Sequence, residues 1–322
     1  MTEIKVTDGT DPAPGSVNSR TGPGDRTGAG AGAGAGELPR ADCTVDGDGR
    51  MEVRLALRTA ERPRLLMRLR PPKGKPESTT RLLDLEPEGS TDATGRCWQA
   101  VLAPEPALAE GRWDLFVLPA PDGERTPLLA GVRDLRALLA GRVPGRTPLP
   151  LAVRVPFATP DGTLAVRTWL RTAHAEVDRI EVGADSTTVR ARLFGATTSS
   201  TTSTGTDATT GTTTNAGAAA VLRLRGRPGE VRETGVHTEG PDGVRFTFTQ
   251  KQLVDTPDGG PGVWDVLVRT GTGARPIRVG RLLDDVADRK KVFVHPAVTL
   301  NGLTARTYYT LDNELSVEVT VD

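Results

Sequence analysis

The chain has 322 residues, in which 41 lysines and arginines balance 41 aspartates and glutamates, with 36% apolar side chains, 37 glycines, 25 prolines and two cysteines. A formal charge of zero excludes the basic surplus with which a general nucleic-acid binder displaces counterions from phosphates, so no nucleic-acid partner is expected. No stretch approaches the ~18 apolar residues of a membrane span, and Met1-Thr2-Glu3-Ile4-Lys5 lacks the basic and apolar regions of a secretory signal, so a cytoplasmic protein is expected.

Residues 1–40 read as a disordered arm. Gly, Pro, Thr and Asp dominate it, and the Gly-Ala alternation from Gly28 to Gly36 offers almost no side chain to bury. Cys43 and Cys97 are too few for a disulfide framework or a thiolate metal site, and Cys97 beside Trp98 reads as a buried thiol. Asp46-Gly47-Asp48-Gly49 has the start of a calcium loop but lacks its closing Glu. A hairpin turn is expected there, because Met51-Glu52-Val53-Arg54-Leu55-Ala56-Leu57 follows directly with the period of two that puts one strand face in a core.

The same alternation recurs along the chain between turns such as Pro121-Asp122-Gly123, Pro160-Asp161-Gly162, Pro241-Asp242-Gly243 and Asn301-Gly302. The expected fold class is all-β. The chain also repeats. Gly111-Arg112-Trp113-Asp114-Leu115-Phe116-Val117 matches Gly262-Val263-Trp264-Asp265-Val266-Leu267-Val268, and Leu65-Leu66-Met67-Arg68-Leu69-Arg70 matches Ala220-Val221-Leu222-Arg223-Leu224-Arg225. Downstream, Gly162 to Trp169 is matched to Gly302 to Tyr309, and Arg179 to Val182 to Ser316 to Val319. These matches place two tandem immunoglobulin-like β-sandwiches at 41–182 and 183–322. Trp113 and Trp264, at the same place in each repeat, are expected core anchors. The spacing of Val132, Leu135, Leu138 and Leu139 predicts a helical turn, and 279–286 is expected to match it. The Thr/Ser tract at about 196–219 has no apolar period and reads as a disordered insertion.

Chemistry-bearing motifs are scarce. The sequence contains no glycine-rich phosphate loop leading into a helix, no Gly-x-Ser-x-Gly elbow and no His-Glu-x-x-His. His174, His237 and His295 are too far apart in sequence to suggest a metal cluster on one element, and no metal or cofactor is expected. Asp284-Asp285 reads as the solvated side of a short helix. The most specific candidate surface is the aromatic and polar cluster Arg306, Tyr308, Tyr309 and Asn313. Neighbouring strand residues face opposite ways, so one tyrosine is expected outside, suited to stacking on a sugar ring, and the other inside.

Trp-Asp-Val-Leu-Val at 264–268, Arg-Val-Gly-Arg-Leu-Leu-Asp at 278–284 and Tyr-Tyr-Thr-Leu-Asp-Asn-Glu-Leu-Ser-Val at 308–317 together resemble the β-sandwich segments that follow the catalytic domain of actinobacterial cell-wall glycosyltransferases and glycerophosphotransferases of the teichoic-acid type. The resemblance covers both repeats. It implies an accessory module whose partner is a cell-wall glycosyltransferase or a wall polymer. It supplies no catalytic residue, because the sugar-nucleotide fold of that family has no counterpart ahead of the repeats. Two readings follow: a noncatalytic binding or assembly protein, and a free-standing transferase with its site between the two domains, using carboxylates such as Asp284 and Asp312.

Overall fold

Strict alternation makes this chain almost entirely β: Met51, Val53, Leu55 and Leu57 point into a core while Glu52, Arg54 and Ala56 turn away from it. The computed structural model describes residues 38–321 apart from 59–60, 78, 93–94, 122, 141, 199–212, 256–259 and 291. Most of the arm expected at 1–40 therefore lies outside the described residues. Arg40, at its end, already belongs to a strand.

In the first half the elements run β1 (Arg40–Val45), β2 (Met51–Leu57), β3 (Arg64–Leu69), β4 (Thr80–Asp84), β5 (Glu86–Asp92), β6 (Gly95–Leu102), β7 (Gly111–Leu118), β8 (Thr126–Pro127), β9 (Leu129–Asp134), α1 (Arg136–Ala140), β10 (Leu151–Ala158) and β11 (Leu164–Arg171). They make two sheets, ordered β5-β6-β2-β1-β9 and β10-β11-β7-β3-β4, with β8 beside β7. The second half runs β12 (His174–Val182), β13 (Ser186–Phe194), β14 (Thr213–Leu224), β15 (Val231–Glu239), β16 (Gly243–Thr249), α2 (Gln250–Val254), β17 (Gly262–Arg269), β18 (Ile277–Gly280), β19 (Ala297–Leu300), β20 (Leu303–Tyr309) and β21 (Leu315–Val321). Here β14 pairs with both β15 and β17, so β14-β15-β16-β13-β12-β18-β17 closes into a ring, and β21, β20 and β19 continue outward from β17.

The ring corrects the expectation of a two-sheet sandwich in the second half. Its cause is continuity of two strands. Val231 to Gly235 of β15 pairs with β14, as do His237 and Thr238, and Val236 to Glu239 of the same strand pairs with β16. In the first half this path is cut at Leu85, leaving β4 on β3 and β5 on β6. Likewise β18 pairs with both β17 and β12, whereas its counterpart is cut at Leu128 into β8 on β7 and β9 on β1. Both interrupting leucines are buried in the first half's apolar cluster. The first half is thus the same path opened in two places where a leucine turns into the core.

The repeat holds at the level of single hydrogen-bonded partners. Leu69 faces Trp113 and Arg68 faces Asp114 between β3 and β7; Leu224 faces Trp264 and Arg223 faces Asp265 between β14 and β17. Both tryptophans are buried, as expected of core anchors. Gly111 and Gly262 open these strands, and a Cβ on either would meet Leu69 Cδ1 or Leu224 Cδ1 at 2.7 Å. On the other side, Val166 of β11 faces Trp113 and Val317 of β21 faces Trp264. This makes β21, not β20, the counterpart of β11, so the sequence match of Gly162–Trp169 to Gly302–Tyr309 slips by one strand. The turns confirm the structural pairing: in Thr159–Thr163 and Thr310–Glu314 the first threonine's N–H donates to the last residue's carbonyl, at 2.9 and 2.8 Å. Gly162 and Asn313 take the same left-handed position, φ 79° and 57°.

Three other expectations need correction. β12, placed in the first half on sequence, pairs with β13 and β18 of the second. The helix predicted around 132–139 is confined to Arg136–Ala140, and Val132 lies in β9; at 279–286 the chain is β18 followed by irregular backbone. Backbone pairing with β1 and β12 outweighs the helical spacing. Of the tract at 196–219, residues 199–212 lie outside the described residues and 213–219 enter β14, since β-branched threonine suits a strand even where nothing apolar marks it.

The halves meet through side chains of both. Phe194, Leu282 and Ala287 join the first half's apolar cluster. Trp169 donates its Nε1–H to the Asp312 carbonyl at 3.1 Å, and Arg167 pairs with the Asp312 carboxylate.

Candidate functional site

Alternation sends Arg223, Asp265, Ser316 and Tyr308 to the outward face of four adjacent strands, and register lines them up: Arg223 faces Asp265, Asp265 faces Ser316, and Ser316 faces Tyr308. The first half carries the same row, Arg68, Asp114, Ala165 and Phe157, through the same pairings of β3, β7, β11 and β10. Guanidinium, carboxylate, small residue and aromatic ring thus recur in order on two sheets.

In the second half Asp265 accepts from Arg225 Nε at 2.7 Å, with Arg223 Nη2 at 3.5 Å and Arg278 Nη1 at 3.7 Å. Arg225 also donates to Ser316 Oγ at 3.1 Å. In the first half Asp114 accepts from Arg68 and Arg70, with Arg112 Nε at 3.3 Å. The carboxylates are buried, but the side chains of Arg70, Arg223, Arg225 and Arg278 remain 40–49% exposed. They keep N–H groups facing solvent. The aromatic ends are covered on one side by cations: Arg112 lies over Phe157 at 5.5 Å and Lys290 Nζ over Tyr308 at 5.7 Å. Partial burial pushes the Tyr308 hydroxyl above its ordinary value, opposed by the positive charge of Arg225.

The network crosses between the halves. Arg278 pairs with Glu314 at 2.6 Å, and Arg171 bridges Glu314 at 3.1 Å and Glu110 at 2.8 Å. Burial raises the Glu314 carboxyl above its ordinary value, with Arg278 and Arg171 opposing.

Of the four residues singled out on sequence, Arg306 and Tyr308 share the outward face; Arg306 is exposed and Tyr308 half-buried. Tyr309 turns inward against Phe293 and His295. Asn313 is 0% exposed; its Oδ1 accepts from the Arg289 N–H at 3.1 Å and its Nδ2 donates to the Val286 carbonyl at 2.8 Å. Asn313 therefore holds a turn and is out of reach of a surface ligand. The arginines and Asp265 were missed as site residues, although Arg-Leu-Arg and Trp-Asp both stand in the repeat.

The other acidic candidates are engaged. Asp284 is buried, pairs with Arg281 at 3.0 Å and with Arg289, and accepts from the Val286 N–H. It is not the solvated carboxylate expected. His174 Nε2 lies 2.8 Å from Glu176, which also accepts the N–H groups of Leu282 and Leu283 at 2.8 and 3.0 Å. That cluster pegs the 282–283 backbone to β12. Among the described residues no group of three or more His, Cys, Asp or Glu is arranged to hold a metal ion, and no helix is long and apolar enough to cross a membrane.

Fold and site together define an almost all-β chain with a repeated charged and aromatic face. No family model matches it, and no curated protein matches it. Among solved structures it is similar to S. aureus TarS, at 14% identity and TM-score 0.32 over 56% of this chain and 29% of that one. It is likewise similar to S. aureus TarS 217-571, at 12% identity and TM-score 0.31 over 65% of this chain and 44% of that one. The chain thus spans less than half the length of either structure, and likeness at this level carries no argument about activity.

Proposed function

We propose that this chain is a noncatalytic binding or assembly protein, acting in the cytoplasm on a cell-wall polymer or the transferase that handles it. The partner class comes from the sequence resemblance. The observation that supports a binding role is the duplicated row ending in Phe157 and Tyr308. A flat ring flanked by outward guanidinium N–H groups suits sugar faces and phosphate oxygens, and two copies suit a ligand that itself repeats. Arg306 and Tyr308 are the residues of the original cluster that contribute; Tyr309 supports them from behind.

The alternative, a transferase with its site between the domains, draws on Asp284 and Asp312. Each is already paired with arginine, which favours the binding role. The test is calorimetric titration of polyol-phosphate wall-polymer fragments into the full chain, Tyr308→Ala and Phe157→Ala. Each substitution is expected to weaken binding by about tenfold, the scale of one lost aromatic anchor. Unchanged affinity in both variants rejects the site. Sugar-nucleotide turnover that disappears in Asp312→Asn would establish the alternative.

A further inference from the structure

The first half also holds a recess of about 250 Å³, away from the outer row, between the Gly47–Gly49 turn, the loop at Pro104 and the start of β10. Two arginines line it. Arg154 is 2% exposed, and its Nη1 donates to the carbonyls of Gly49, Leu102 and Ala103 at 3.0, 3.3 and 2.7 Å, its Nη2 to that of Pro104 at 2.8 Å. Arg142 donates from Nη1 to the Ala152 carbonyl at 2.9 Å, while its buried Nε has no acceptor.

Most arginines described above are neutralised by a carboxylate; among the described residues these two make no ion pair. Burial lowers both below the ordinary arginine range, and the charge of Arg142 pushes Arg154 further the same way. Buried cations held only by neutral carbonyls are costly unless something else compensates them. The fold does not demand this arrangement. Arg154 faces Thr168 across β10 and β11, and the equivalent pair across β20 and β21 is Ala305 facing Val319. The second half builds the same hairpin with an alanine there.

The carboxylates nearby stand at the rim, apart from buried Glu176, which also attracts Arg142 without pairing with it. Asp48 and Glu105 are exposed, and Glu105 Oε2 is drawn to the Ala107 N–H at 3.1 Å. Asp46 accepts the N–H groups of Asp48 and Arg50 at 3.0 and 2.9 Å. Asp46 and Asp48 attract Arg142, and Glu105 attracts Arg154, without pairing with them. Pro104, Pro148 and Pro150 supply apolar wall.

We propose that this recess binds a small oxyanion, a phosphate or carboxylate group, through the guanidinium of Arg142, with Arg154 fixed behind it as a second positive charge. The experiment is isothermal titration of the full chain, at low and fixed salt, with inorganic phosphate and separately with acetate. Saturable binding of either is expected, and the two arms distinguish phosphate from carboxylate as the preferred group. Arg142→Gln should weaken it by about tenfold or more, as loss of a charge-assisted donor does, while the thermal midpoint stays within a few degrees. Asp48→Asn should strengthen it by removing a rim charge. Failure of both anions to bind saturably, or undiminished binding in Arg142→Gln, overturns the proposal.

Discussion

Asp114 and Asp265 occupy the same place in two different sheets. Each follows a buried tryptophan on its strand, each faces an arginine on the neighbouring strand, and each is nearly closed from solvent, at 8% and 5% exposed. A carboxylate there is stable because three arginines surround it. Removing it leaves those cations crowded against one another. Asp265→Ala and Asp114→Ala are each expected to cost about 2 kcal/mol, below the cost of breaking a fully buried pair because the arginines are partly solvated. Denaturant melts check the value; a change near zero in either variant would show that solvent alone compensates the arginines.

The tryptophans are a separate matter of packing. Trp113 donates its Nε1–H to the Ala109 carbonyl at 3.0 Å, and both indoles are enclosed. Trp113→Ala and Trp264→Ala should each destabilise by about 3 to 5 kcal/mol, the range for a large buried aromatic. Equal losses in the two variants are the expected mark of equivalent sites.

Gly195 sits where the two halves join. Its φ is +68°, and a Cβ would lie 2.1 Å from the carbonyl oxygen of Thr172. Backbone cannot yield as a side-chain tip does, so Gly195→Ala should cost about 2 kcal/mol or more, from the left-handed conformation plus the clash. Thermal unfolding measures it, and a neutral result would mean that the junction at Thr172 moves freely.

Alkaline stability should depend on Tyr309. Burial holds its hydroxyl at about 12, against an ordinary value of 10.0, with Arg289 and Arg281 opposing. The folded state thus keeps this proton longer than the unfolded chain. The stability it contributes is complete below pH 10 and is lost as pH rises to about 12. Arg289, which burial pulls down to about 10, titrates in the same window with the opposite sign, so the comparison is with Tyr309→Phe. Unfolding free energy should fall less steeply across this window in the variant; identical slopes would refute the coupling.

Cysteine labelling distinguishes the two thiols. Cys43 is buried, and that burial, with Asp42 adding and Arg133 opposing, raises its thiol to about 12. Cys97 is partly accessible. Alkylation of the native chain near neutral pH should modify Cys97 and spare Cys43, as read by mass spectrometry, with both reacting after unfolding. Equal labelling of the native protein would require β1 to open.

What the residues by themselves determined was whatever depends on local alternation and on short matched blocks. The period of two in Met51–Leu57 and Leu315–Val321 sets strands whatever they pair with, and the Trp-Asp and Arg-Leu-Arg matches locate β7 with β17 and β3 with β14. The alternation that marks strands is also why the later match slipped, since adjacent strands of a hairpin share one pattern and Gly302 to Tyr309 resembles β11 as its own neighbour β21 does. Only the tertiary structure decided which strands become partners. Closure of the second half rests on β15 and β18 each continuing past the point where Leu85 and Leu128 turn inward in the first, a backbone choice with no local sequence mark. The same holds for the site. Alternation predicted that one of Tyr308 and Tyr309 faces out, but Asn313 is buried and Asp265 is ringed by Arg223, Arg225 and Arg278, because long-range register sets which side chains meet.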